Sequence, residues 1–244
     1  MEVNMKKYVG IISIFLLVGI FLQSQTLQTK PPTKKLVMLS KIYVKVLCMN
    51  KWDDGRVTNT AMVVLREGNQ SGPVINNASV MVNGRTLSFN TSINEYMGNI
   101  GTLTQGQKVP ISIKTRDKRN ISGYVQASYF VRITSPRPFV PLPILSLRPV
   151  KGSITVKWIF SNGGIYLVVF KILRGETQLF STDVNGSSYT INLKALGLKV
   201  LPTDGIKARV ISPWTDNFHF VGLVAPGSKG QFFTSATVSI RLRK

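Results

Sequence analysis

Apolar and polar residues alternate through most of this chain. In Lys41–Met49 the set Ile42, Val44, Val46 and Cys48 shares one face. In Val109–Lys118, Val109, Ile111 and Ile113 oppose Ser112, Lys114, Arg116 and Lys118. In Ala236–Lys244, Val238, Ile240 and Leu242 oppose Thr237, Ser239, Arg241 and Arg243. A period of two marks half-buried strands, because successive side chains leave a strand on opposite sides. The segments are short, rich in Val, Ile, Thr and aromatics, and broken by Gly, Asn or Pro. Helical spacing is approached after the amino-terminal segment only in Lys194–Leu201, over about two turns. Asn83-Gly84, Asn162-Gly163-Gly164 and Asn185-Gly186 supply turn signals between strand-like runs. The pattern predicts an all-β protein.

The amino terminus breaks this pattern. Met5-Lys6-Lys7 leads into the apolar run Tyr8–Leu22, and Ser24 follows as a small residue. A basic head before about 15 apolar residues has the form of a secretory signal, and the run is short for a membrane span. Residues 1–24 are therefore expected to be a signal peptide or an uncleaved anchor helix. Residues 25–35 carry Pro31-Pro32 and three lysines, and read as a tether. Either form of the leader places the rest of the chain outside the cytoplasm, in a periplasm, at a surface or secreted.

Prolines 136, 138, 141, 143 and 149 crowd one stretch. Proline cannot donate to a ladder, so residues 136–143 are expected to be a linker. They separate residues 36–135 from residues 144–244, each the size of a β-sandwich. In the second part, Ser153-Ile-Thr-Val-Lys-Trp158 precedes Ile165-Tyr166-Leu-Val-Val-Phe170, and Ser188-Tyr-Thr-Ile191 precedes Lys207-Ala-Arg-Val-Ile211. These stretches resemble the Trp-bearing second strand, the Tyr-bearing third strand and the two corner strands of a fibronectin type III or related immunoglobulin-like domain. Ile206 stands where that family usually has a Tyr four residues after Pro202. The resemblance implies two tandem sandwiches, a scaffold or binding module, and no catalytic residues.

Charge changes the picture most. Thirty-one Lys and Arg face ten Asp and Glu, a net charge of +21. Residues 1–24 hold only Lys6, Lys7 and Glu2 of these, so the excess belongs to the folded part. A chain this basic is drawn to anionic surfaces. The expected partners are an anionic envelope polymer, a membrane surface or an acidic protein. Nucleic acid is disfavoured by the leader and by the lack of a nucleic-acid motif. Alternation places Lys114, Arg116 and Lys118 on one strand face with Arg119 at its end, and Arg241 and Arg243 on another. These six are the candidate contacts.

Candidate chemistry is sparse. The single Cys48 excludes a disulfide framework, and its phase with Ile42, Val44 and Val46 makes it a core residue. The single His219 stands between Phe218 and Phe220, a half-buried structural setting rather than a base. Asp53-Asp54 are the adjacent carboxylates, and Gly55 after them favours a turn. No cofactor or metal is expected, and the chain is expected not to be an enzyme. Trp52 and Trp214 lie in polar loop contexts, as either plugs of sandwich ends or platforms for a glycan or partner loop. Trp158 keeps the core phase. Self-assembly through strand edges, as a surface-layer or appendage subunit, is a third reading. Asn-x-Ser sequons occur at Asn69, Asn77, Asn90, Asn120 and Asn185.

Overall fold

The computed structural model describes residues 39–136, 152–197 and 205–240. The leader, the tether and most of the Pro-rich stretch lie outside them. Alternating sequence becomes strand almost throughout. The chain runs through β1 (Ile42–Asp53), β2 (Arg56–Glu67), β3 (Ser79–Val82), β4 (Arg85–Thr86), β5 (Ser88–Asn90), β6 (Glu95–Asn99), β7 (Lys108–Lys114) and β8 (Asn120–Gln126). It continues through β9 (Val131–Ser135), β10 (Ser153–Phe160), β11 (Leu167–Arg174), β12 (Thr177–Asn185), β13 (Ser188–Asn192), β14 (Ile206–Ile211), β15 (Phe218–Gly222) and β16 (Lys229–Ile240). Of the expected helical patch Lys194–Leu201, the described part lies in a short 3₁₀ segment, Leu193–Leu196, and residues 198–201 lie outside the described residues. Asn192 caps it at one end, and Gly197, with φ of 66°, ends it at the other.

Three sheets enclose two hydrophobic cores. An eight-stranded sheet runs β12-β11-β14-β16-β1-β2-β6-β5, beside a three-stranded sheet β13-β10-β9 and a five-stranded sheet β15-β8-β7-β3-β4. In the first core, Val44, Val46, Cys48, Ala61 and Val63 meet Val80, Val109, Ile111, Ile121 and Val125. In the second, Val131, Ile133, Val156 and Trp158 meet Phe170, Ile172, Ala208, Val210 and Val238. A three-stranded sheet against β12-β11-β14-β16 is a fibronectin type III-like arrangement. Its second, third and corner strands are the segments the sequence marked. Trp158 stacks on Phe170 at 6.0 Å, and Tyr166 stacks on Tyr129 at 4.3 Å.

The cores do not part at the Pro-rich stretch. That stretch joins β9 to β10, which are neighbours in one sheet. After β14 the chain returns to the first core: β15 pairs with β8, and Phe218, Phe220 and Phe232 pack there. β16 then runs parallel to β1 from Lys45↔Lys229 to Asp53↔Thr237, and antiparallel to β14 from Ile206↔Ile240 to Ile211↔Ser235. Its inner face carries Phe232 in the first core and Ala236, Val238 and Ile240 in the second. The boundaries expected at 36–135 and 144–244 therefore do not coincide with the cores. Parallel pairing of β1 with β16 needs a long crossover, and the intervening chain supplies it.

Between the cores the inner face turns polar. Asn59, Asn50 and Thr234 are successive partners across β2, β1 and β16, and all three are buried. Asn50 Nδ2 donates to Asn59 Oδ1 at 2.7 Å, and Thr234 Oγ1 donates to Asn50 Oδ1 at 2.9 Å. The Asn59 amide reaches the Gly101 carbonyl at 2.8 Å, and the Val131 N–H reaches Thr234 Oγ1 at 3.1 Å. Each buried polar group in the row has a partner, as burial demands. Such pairing ties the register of β1 to that of β16, since a slip would orphan several groups together.

Candidate anion-binding face

The expected cationic strand at 114–119 is corrected by a turn. β7 ends at Lys114, and the chain reverses through residues 115–119. The Lys118 N–H bonds the Thr115 carbonyl at 3.0 Å, and Lys118 has a φ of 66°. Lys114, Arg116 and Lys118 are exposed, but they do not form one strand face. Arg119 is only 6% exposed. Its Nη1 donates to Glu67 Oε2 at 2.7 Å and to the Ser40 carbonyl at 2.8 Å. Its Nη2 contacts Glu67 Oε1 and lies 2.7 Å from Asp117 Oδ2. Arg119 is thus a structural cation, not a free contact.

This node also shapes its own ionisation. The guanidinium, with help from the Thr115 hydroxyl, holds Asp117 down to about 2. Arg119 also keeps Glu67 below the usual carboxylate range, and the carboxylates push Arg119 up. A cavity of about 390 Å³ opens beside the node, lined by Asn76, Asn77, Arg116 and Asp117 among others. Its charges largely satisfy one another, which suits a brace more than a receptor.

The other expected residues separate. Arg241 and Arg243 lie outside the described residues. Trp52 is half-buried against the second core and acts as a plug. Trp214 is 51% exposed, with its ring 4.5 Å from Phe233 at an interplanar angle of 56°. Cys48 is fully buried, and burial pushes its thiol up to about 12, so no thiolate forms near neutrality. His219 is exposed on β15 beside Tyr124, not half-buried as expected, because Phe218 and Phe220 on either side take the inward positions. Asp54 and Gly55 form the β1–β2 turn, with φ of 46° and 88°. The Asp54 carboxylate accepts from the Ser239 N–H at 2.7 Å and its hydroxyl at 2.6 Å, tying the hairpin to β16.

Pairing gathers cations that lie far apart in sequence. Since Val44, Val46, Phe170 and Ala208 face inward, Lys45, Lys51, Lys171, Lys207 and Arg209 face the outside of the eight-stranded sheet. Lys171, Arg209, Thr237 and Asp53 are successive partners across β11, β14, β16 and β1. Lys207 stands one step along from Arg209, and Lys51 one step along from Asp53. At the far end Lys45 is the partner of Lys229, and both are exposed. On these four strands the outer face holds those six cations and one carboxylate, Asp53. Among the described residues none of the six forms an ion pair. Facing side chains on adjacent strands come within about 4.5–5.5 Å at Cβ, and like charges there repel. Sequence reasoning missed this face because strand partners were unknown.

No family model matches the chain, and no curated protein matches it. Among solved structures it is similar to the fibronectin(III)-like modules of Clostridium thermocellum CbhA, with 11% identity and a TM-score of 0.23, over 82% of this chain and 98% of that one. It is also similar to the central fibronectin-III array of RIM-binding protein, with 12% identity and a TM-score of 0.21, over 84% of this chain and 88% of that one. The strand order described above carries the fold assignment.

Proposed function

We propose that this protein is an exported, non-catalytic binding module of a cell envelope or surface, which engages an anionic partner through the outer face of its eight-stranded sheet. The observation that carries this reading is the opposition of like charges in two places, Lys171 with Arg209 and Lys45 with Lys229. Such pairs cost stability, and an anionic ligand would relieve the repulsion. Co-sedimentation of the full chain with acidic wall polymer, anionic vesicles and neutral polysaccharide tests it. Anionic material should retain the protein at about 0.1 M salt and release it at about 1 M, where the Debye length shrinks from about 10 Å to about 3 Å. Reversal of Lys45, Lys171, Arg209 and Lys229 to Glu should abolish retention. Salt-resistant binding to neutral polysaccharide would overturn the reading in favour of a neutral-glycan module.

One observation favours a second reading, assembly through a strand edge. β12 is a nine-residue strand at the end of its sheet, and its sequence TQLFSTDVN has no Lys, Arg or Pro and a single charge, Asp183. Charges and prolines are the usual guards of such edges. Self-association of the full chain without any ligand would support this reading.

A further inference from the structure

Resting on the charge reading, we infer a more specific ligand: an acidic polysaccharide lying along β1 and β16 with one sugar ring stacked on Trp214. The face is not uniformly charged. From one end of the paired strands to the other, the outward rows are Lys45 with Lys229, Leu47 with Gln231, Met49 with Phe233, and Lys51 with Ser235. At about 3.3 Å per residue, the cationic rows lie about 20 Å apart, and between them Leu47, Gln231 and Phe233 are half-buried while Met49 is buried. Trp214 flanks that middle on the β14 side of β16, with its ring against Phe233.

The ring is set in place in advance. The residue after it is bridged to β16 in both directions, the Thr215 N–H to the Phe232 carbonyl at 2.9 Å and the Phe232 N–H to the Thr215 carbonyl at 3.0 Å. Before it, the Ser212 N–H reaches the Thr234 carbonyl at 2.9 Å. Gln231 Nε2 donates to the Asp216 carboxylate at 2.7 Å, so this nearby acid is already engaged. A platform fixed before binding loses little freedom on binding.

Charge and apolar face together select the ligand. A pyranose of a uronate polymer offers a flat C–H face to an indole and a carboxylate to an ammonium group. A neutral glycan would leave Lys45, Lys51 and Lys229 without a counter-charge. A lipid surface would leave the indole stacking site without a ring. Charge-assisted hydrogen bonds from the lysines to sugar carboxylates are the expected polar contacts.

Isothermal titration of the full chain with polygalacturonate, its methyl ester and anionic phosphatidylglycerol vesicles tests this. The expected order is polygalacturonate first, the anionic vesicles second and the uncharged methyl ester weakest. Trp214→Ala should weaken polygalacturonate binding about tenfold, and Trp214→Tyr should restore most of it. Lys45→Glu with Lys229→Glu should remove binding at low salt. If Trp214→Ala changes nothing while the lysine reversals abolish binding, the platform is wrong and the charge reading stands. If neither change has an effect, both fall. Preference for vesicles over polygalacturonate overturns the polysaccharide class.

Discussion

Arg119 shows how a basic residue in a basic chain can serve the fold. Its guanidinium joins the turn between β7 and β8 to the end of β2 through Glu67 and to the start of the described chain through the Ser40 carbonyl. Replacing it with Met leaves a partly buried carboxylate facing an apolar chain. The expected loss is about 1–3 kcal/mol, the range for leaving a polar group without its partner, at its lower end because the Glu67 side chain is 32% exposed. The pH dependence follows from the lowered Glu67 and Asp117. A depressed carboxylate stabilises the fold above its unfolded value, here 4.5 and 3.8, and that contribution fades as pH falls through the folded value, about 2 for Asp117. In urea unfolding, wild type and Arg119→Met should differ by a constant amount above about pH 5 and converge toward pH 2. A pH-independent difference would mean that Arg119 acts through packing alone.

At the scale of elements, β15 is the informative strand. It is short, leaves the second core after β14, and docks on β8 with Gly123 opposite Phe220. A Cβ at Gly123 would lie 2.0 Å from the His219 carbonyl oxygen and 2.8 Å from the Phe220 ring. Gly123→Ala must therefore push β15 away, at about 1–3 kcal/mol. Hydrogen exchange should quicken at Phe218–Gly222 and stay unchanged at β10 and β13, which belong to the other core. Unchanged exchange at β15 would show that the strand is not held by β8.

At the scale of the molecule, β16 makes the first core depend on chain from both ends of the sequence. The first core needs Phe218, Phe220 and Phe232, which follow the strands of the second. A fragment of residues 1–135 lacks them and leaves the β16 side of β1 unpaired. Cys48 gives a direct readout, because it is 0% exposed in the full chain. A thiol reagent should leave native full-length protein unlabelled and label the fragment rapidly. Protection in the fragment would mean that the first sandwich folds without its returning strands.

Alternation by itself determined that Ile42–Cys48, Val109–Ile113 and Val238–Ile240 are strands, because the period of two is a property of the backbone and needs no partner. It also determined that Cys48 and Trp158 point inward, and Asp-Gly and Asn-Gly chemistry located the turns at Asp54-Gly55 and Asn83-Gly84, where two positive φ angles are required. Alternation could not reveal where β7 stops: Arg116 and Lys118 keep the phase of Lys114, yet the turn at 115–119 takes them off the strand and buries Arg119. Nor could the Pro-rich stretch disclose that it joins two strands of one sheet, since proline reports on local hydrogen bonding and not on what packs across it. The cationic outer face belongs wholly to the tertiary structure. Lys45 and Lys229 are 184 residues apart in the chain and become neighbours only through the parallel pairing of β1 with β16, a long-range choice made by the shared cores.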